Sequence, residues 1–376
     1  MAAIDKFEHW YHNRHEYAKE WKKRTGGKVI GTFCTYVPDE ILTAAGMLHS
    51  RILGSHEPQD VTEPHIFGMF CPFCRDSLAQ GLKGRFNYLD GIVLAHSCIH
   101  YRQTFDSWKA HIPTEFTYYL PMPNMVQSPS AKPYYLGEVA KFKAALEEYA
   151  GKKITDADLD RGIELTNKNR QLLHQIYEFR KTDPPKMTGT EALYVATTAQ
   201  FVDYEEHNKS LEEAIKELAN RQVDRDPGVR LMAVGSENDD VEFFKMVESV
   251  GATVVIDEQC AGTRYFWNEA RIQPDRLQTI SDRYVERPPC PTKDYPERTR
   301  FPHVLQLAKD YKAQGAIIMQ EKFCDPHEGD NPILKKYLED NGIPTLGLEF
   351  DSTNPLGPFR IRVEAFLETL RTDDLF

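Results

Sequence analysis

No stretch of this chain stays apolar for the roughly 18 residues that a membrane span needs. The first residues, MAAIDKFEHWYHNRHEY, mix acids, bases and aromatics where a secretion signal would place an apolar core. Both absences point to a cytoplasmic protein. Positive charge is also short: 46 Lys and Arg stand against 57 Asp and Glu, a net charge of −11. A field of that sign repels a phosphate backbone, so nucleic acid is not expected as a partner, and an anionic small molecule would need a local basic pocket. The glycine patterns G-x-G-x-x-G and G-K-[ST] are missing, so neither dinucleotide binding nor ATP hydrolysis of the familiar kind is expected of the chain itself. No repeat of fixed period is visible. Seven cysteines are present. An odd count in a reducing compartment argues against a disulfide framework and leaves metal, catalysis or burial to explain the thiols.

What is there reads as two α/β halves around a helical middle. At 376 residues and 41% apolar content the chain can bury more than one core. Phe7, Trp10, Tyr11, Tyr17 and Trp21 fall near helical spacing and stop at Gly26-Gly27, which predicts an N-terminal packing helix over 1–27. From 28 to 135 strand and helix alternate: KVIGTFCTY as strand, VPDEILTAAGMLHSRIL as helix, RDSLAQGLKG as helix, LDGIVLA as strand and HYRQTFDSWKAHI as helix. Over 136–225 strands give way to a helical connector, with Gly151 ending one helix and Thr155 followed by Asp158 opening the next. Over 226–376 the alternation returns in VRLMAVG, ATVVID, GAIIM and TLGLEF. The expected fold is α/β, with two Rossmann-like domains of mostly parallel strands.

On this map the cysteines collect where ligands collect. Cys98 follows the strand LDGIVLA, Cys324 follows GAIIM by a few residues, and Cys71 lies just before the RDSLAQGL helix. In open parallel sheets, loops and helix N-termini converge at the carboxyl ends of the strands, and thiols near helix N-termini ionise more easily. Cys98 and Cys324 come from different halves, so a metal held by both would sit in the cleft between them. The residues alone leave several chemistries open. Cys71, Cys74 and Cys98 with His96 or His100 have the ligand types of a zinc site, although a helix and a strand separate them where compact zinc ribbons use hairpins. A redox dithiol at Cys71 and Cys74 would need to follow a strand directly, and Pro64 and Gly68 stand in the way.

The segments YVPDEILTAAGML, FCPFCRDSL, DGIVLAHSCIHYRQTFDSW and KFCDP, in this order and at these intervals, resemble the 2-hydroxyacyl-CoA dehydratase and benzoyl-CoA reductase family over nearly the whole chain. The resemblance implies the smaller subunit of a heterodimeric core, with a [4Fe-4S] cluster on Cys71, Cys98 and Cys324 and one iron left without a cysteine. It implies as partners a homologous larger core subunit, ATP-hydrolysing iron-sulfur activator subunits, ferredoxin as electron donor and an acyl-CoA substrate. The wording of the motifs is closer to the smaller core subunit of benzoyl-CoA reductase, which dearomatises an aromatic thioester by single-electron transfer under anaerobic conditions. The alternatives are a dehydratase subunit, which eliminates water through a radical, and a non-catalytic metal-stabilised scaffold. Cys74 departs from the family pattern and is expected off the metal, as is Cys34. Cys260 and Cys290 read as structural. His96, His100 and His327 read as neighbours of the ligands, Arg75, Arg102 and Arg264 as candidates for CoA phosphates or cluster charge, and Glu40 as a first-turn acid complementing its helix dipole.

Overall fold

A computed structural model of the chain describes residues 2–351 and 353–373. The N-terminal segment forms two helices, α1 (Asp5–His12) and α2 (Arg14–Thr25), parted at Asn13 and closed by Gly26 in the left-handed region at φ 68°. Their aromatic stripe is buried as its spacing predicts, with Phe7 wholly enclosed.

The first sheet is entirely parallel. Its strands are β1 (Val29–Thr32), β2 (Leu48–Arg51), β3 (Gly91–Ala95) and β4 (Phe116–Leu120), in the order β2-β1-β3-β4. The helices α3 (Asp39–Ala44), α4 (Pro72–Leu82) and α5 (Ile99–His111) lie between them in the chain. Two of these strands depart from the sequence reading. The helix expected to run through MLHSRIL stops at Ala44, because Gly46 turns the backbone at φ 72° and the Leu48 N–H then donates to the Lys28 carbonyl, 2.9 Å away. From there Leu48 pairs with Val29. Tertiary pairing overrides a helical pattern that was only locally plausible. Strand β4, FTYYL, lies at the sheet edge with most of its side chains half-buried, so it lacks the continuous apolar run that marks β3.

The helical middle holds α6 (Ala131–Ala150), α7 (Asp156–Glu178), α8 (Gly189–Thr198) and α9 (Tyr204–Asn220). Gly151 caps α6 at φ 63°, and a reciprocal box opens α7: the Asp158 N–H donates to Thr155 Oγ1 at 3.2 Å while the Thr155 N–H donates to Asp158 Oδ2 at 2.8 Å. Helix α7 crosses α3 so closely that a Cβ on Gly162 would stand 2.3 Å from the Glu40 carbonyl oxygen.

The second sheet repeats the plan of the first. Strands β5 (Val229–Gly235), β6 (Ala252–Glu258), β7 (Gly315–Glu321) and β8 (Thr345–Phe350) are all parallel in the order β6-β5-β7-β8. Helices α10 (Val241–Ser249), α11 (Thr263–Phe266), α12 (Arg276–Glu286), α13 (Arg300–Asp310), α14 (Asp325–Asp340) and α15 (Leu356–Asp373) complete this half. No helix among the described residues is long and apolar enough to cross a membrane.

Buried polar contacts lock the halves together. Arg51, at the end of β2, pairs with Glu237 at 2.8 Å. The Gly54 N–H and the His56 ring meet the Asp239 carboxylate at 3.0 and 2.9 Å. Arg287, beyond α12, donates to the Thr35 carbonyl at 2.7 Å. Glu40 is wholly buried and takes Arg170 at 2.6 Å and the Tyr284 hydroxyl at 2.9 Å. Its first-turn position is as expected, but its main work is this ion pair, which ties α3 to α7 and α12.

Candidate metal centre

Each sheet reverses its strand order between its two central strands, β1 and β3 in one and β5 and β7 in the other. Loops leaving such a point open a crevice at the carboxyl ends. Cys98 and Cys324 stand in the loops after β3 and β7, and Cys71 ends the long connection from β2 to α4. All three occupy one structural position: they are the N-cap residues of α5, α14 and α4. Proline in the first two positions of α4 and α14 suits a helix start, where an N–H is unpaired in any case. None of the three uses its side chain to cap its helix, so each thiol is left for other partners beside unpaired N–H groups and the positive end of a dipole. Cys74 is the third residue of α4 and lies over the same helix start.

The four thiols form one connected group. Cys71 accepts hydrogen bonds from Cys324 and then Cys74, which together with His100 hold it well below the ordinary thiol range. Cys98 is held down by a hydrogen bond from Cys74. Cys74 is pushed well up by burial and by its neighbours Cys71 and Cys98, and Cys324 by its bond to Cys71 and by burial. Cys71 and Cys74 are buried, and Cys98 and Cys324 are half-buried. The structure therefore gathers the three cysteines expected as ligands and adds Cys74, which stands between Cys71 and Cys98.

Among the described residues, no three His, Cys, Asp or Glu side chains already stand as a ligand set for a metal ion. The donor chemistry fits a soft-metal group all the same: thiols only, from three separate helix starts, with two of them favoured as thiolates. His96 Nδ1 meets the Tyr119 hydroxyl at 2.5 Å, and His100 Nδ1 accepts the Cys71 N–H at 2.9 Å with its Nε2 3.4 Å from Asp325. His100 thus fixes the Cys71 backbone. His327 is buried 3.5 Å from Arg264 and held neutral by burial and by Arg264 and Arg300.

The candidate arginines are engaged elsewhere. Arg75 donates to the Gly68 carbonyl at 2.7 Å, Arg102 lies exposed over the Tyr119 ring, and Arg264 is buried on Glu258 in the second half. One residue escaped the sequence reading. Glu321 ends β7, buried, with a carboxyl pushed well up by burial and by Cys71 and an Asn238 amide donating to it at 2.9 Å. Its only signal was its place three residues ahead of Cys324.

Residues 34–370 match the family described as 2-hydroxyglutaryl-CoA dehydratase, D-component. The chain is 26% identical to the (R)-phenyllactyl-CoA dehydratase beta subunit of Clostridium sporogenes, over 98% of this chain and 100% of that one. It is 25% identical to a benzoyl-CoA reductase subunit of Thauera aromatica, over 94% of each. It is 28% identical to the (R)-2-hydroxyglutaryl-CoA dehydratase beta subunit of Acidaminococcus fermentans, over 93% of this chain and 94% of that one. With one family matched across nearly its whole length and relatives aligned end to end, the chain belongs to the 2-hydroxyglutaryl-CoA dehydratase D-component family, whose members include dehydratase and benzoyl-CoA reductase subunits.

Proposed function

We propose that this chain is an iron-sulfur core subunit of an ATP-dependent benzoyl-CoA reductase, with Cys71, Cys98 and Cys324 as ligands of a [4Fe-4S] cluster. The observation that carries the reading is the convergence of three N-cap cysteines from both halves on one crevice. When bound, such a cluster supplies a low-potential carrier of single electrons. The chain's own groups do the rest. Cys71 and Cys98 are favoured as thiolates at their helix N-termini, His100 holds the Cys71 backbone, and Phe70 packs on the His100 ring at 4.7 Å. Beside Cys71, the buried Glu321 carboxyl is pushed well up by burial and by that thiol.

Partners are part of the proposal. Phe67, Met69, Ile99 and Phe323 are 72, 69, 57 and 42% exposed, and each lies within four residues of an N-cap cysteine. Apolar side chains bared around one crevice suit a face covered by another subunit. The relatives are themselves subunits by name, which supports partner subunits. In this reading the partners are a homologous larger core subunit, a separate ATP-hydrolysing iron-sulfur activator and ferredoxin feeding electrons.

A second reading, a 2-hydroxyacyl-CoA dehydratase subunit, is favoured by the two dehydratase beta subunits at 26 and 28% identity. The deciding experiment isolates the complex anaerobically with its companion chains and supplies activator, ATP and reductant. Benzoyl-CoA should gain two electrons and two protons to give a cyclic dienoyl thioester. Inertness toward benzoyl-CoA together with loss of water from a 2-hydroxyacyl-CoA would replace the first reading by the second.

A further inference from the structure

Four polar side chains close a ring at the boundary of the two halves. Arg51 ends β2, Glu237 lies two residues past β5, Gln259 one residue past β6 and Gln200 two residues past α8. Arg51 Nη2 donates to Glu237 Oε2 at 2.8 Å, and the Gln259 amide donates to the carbonyl of Ser236, beside Glu237, at 3.5 Å. The Gln200 amide donates to the carbonyl of Cys260, beside Gln259, at 3.1 Å, and the Arg51 N–H completes the ring on the Gln200 carbonyl at 2.9 Å. Strand ends of both sheets thus meet where parallel sheets gather ligands.

The ring is unfinished on its inner side. Arg51, Gln200 and Gln259 are only 3, 2 and 1% exposed, yet Arg51 Nε and Nη1, Gln200 Oε1 and Gln259 Oε1 have no hydrogen-bond partner among the described residues, and neither has Glu237 Oε1. Leaving such groups unpaired is costly. Two N–H donors and three oxygen acceptors on one ring are satisfied together by ordered water, which gives and takes hydrogen bonds alike. One member of the ring can carry a proton. Glu237 is faced by Arg51 and Tyr101 from the first half and by Asp239, Cys260 and Arg264 from the second. Burial outweighs the pull of Arg51 and holds its carboxyl above the ordinary range. The ring also reaches toward the centre: Arg51 Nη2 donates to the Tyr101 hydroxyl at 3.1 Å, and Tyr101 stands in the first turn of α5, three residues past Cys98.

We propose that this ring holds ordered water and that Glu237 is a proton-relay residue, which passes protons from solvent along that water toward the reacting thioester. The inference rests on the function proposed above, whose reaction takes up one proton for each electron. In each cycle Glu237 Oε1–H gives its proton to the water, the water passes one on to the reduced substrate, and the carboxylate takes a proton back from solvent. No further reactant is consumed. Arg51 stays charged throughout and holds Glu237 Oε2 in either state.

The test uses the anaerobically isolated complex with benzoyl-CoA, activator, ATP and reductant, and far-ultraviolet circular dichroism as the check on folding. Glu237→Gln keeps an oxygen for Arg51 but cannot carry a proton. Turnover should fall by about 10²-fold and lose the decline that the parent shows as pH rises through the titration of Glu237, while the reduced-state EPR signal stays that of the parent. Glu237→Asp should recover part of the rate together with that decline. A Glu237→Gln complex with the parent's rate and pH profile overturns the proposal. Infrared spectra without substrate read the proton itself: the parent should show a protonated-carboxyl band that titrates, shifts in D2O and is missing from Glu237→Gln, and identical spectra contradict the relay. A parent complex inert toward benzoyl-CoA removes the proposed function instead, and the infrared band then decides the relay alone. Should Glu237→Gln not fold, Gln259→Leu leaves every acid in place and removes one partner of the water. It should shift the band and lower turnover, and a band and rate both unmoved overturn the proposal.

Discussion

The two sheets share one strand order and put it to different uses. In the first half, the loops at the carboxyl ends deliver three of the four centre thiols, Cys71, Cys74 and Cys98, held by hydrogen bonds to one another and to His100. In the second half, the corresponding region delivers Cys324 alone and is otherwise filled by a lattice of charge. Arg264 grips Glu258 through two bonds of 2.7 Å, Arg300 takes the same carboxylate at 2.7 Å, and Arg300 reaches on to Asp330. Burial pushes the Glu258 carboxyl up, and Arg264 and Arg300 together bring it down to about 2. The same scaffold carries a group of thiols on one side and a buried lattice of charge on the other. A centre shared between halves needs both, because a thiol from a mobile half could not keep its place against three from the other.

Removing the single thiol of the second half should break the comparison most severely. Cys324→Ser should strip the first centre of its iron, read from metal content and visible absorption, while circular dichroism stays that of the folded chain. Next comes the anchor. Glu258→Gln leaves Arg264 and Arg300 without their shared anion, and breaking a buried pair of this kind costs about 3–5 kcal/mol. Urea or thermal unfolding should show that loss, and Arg75→Ala at the exposed loop of the first half should stay within about 0.5 kcal/mol of the parent. Gly162→Ala, which forces a methyl against the Glu40 carbonyl, should cost about 1–3 kcal/mol and loosen α3 from α7.

The smallest effect concerns His56, which joins the halves. Burial alone would lower its pKa, but Asp239 at 2.9 Å raises it to about 9. The folded state then binds this proton more tightly than the unfolded one. The contribution is complete below the unfolded value of about 6.5 and is lost as pH rises through about 9. Unfolding measured across that window should show parent and His56→Gln converging at alkaline pH, and a constant gap would assign the residue no titrating role.

Local signals carried much of this into the sequence. Thr155 and Asp158 are three residues apart and meet, Gly151 ends the helix that points to it, and β3 is a continuous apolar run, as is β5 from Leu231 onward, in a buried parallel sheet. The cysteines could be placed at strand ends and helix starts for the same reason. What the sequence hid is what distant chain segments do together. Leu48 becomes a strand residue only because Val29 is beside it, and Arg300 is committed to a carboxylate 42 residues away. The position of Cys74 between Cys71 and Cys98 depends on contacts that no spacing records.

The central claim is that the N-cap thiols of both halves hold one iron-sulfur cluster. Anaerobic crystals of the complex, with diffraction recorded above and below the iron absorption edge, test it most directly. The expected result is iron density of several atoms in contact with the sulfurs of Cys71, Cys98 and Cys324, with Cys74 nearby and unbound. A lone zinc ion on Cys71, Cys74 and Cys98, or iron density that leaves Cys324 out, would contradict it.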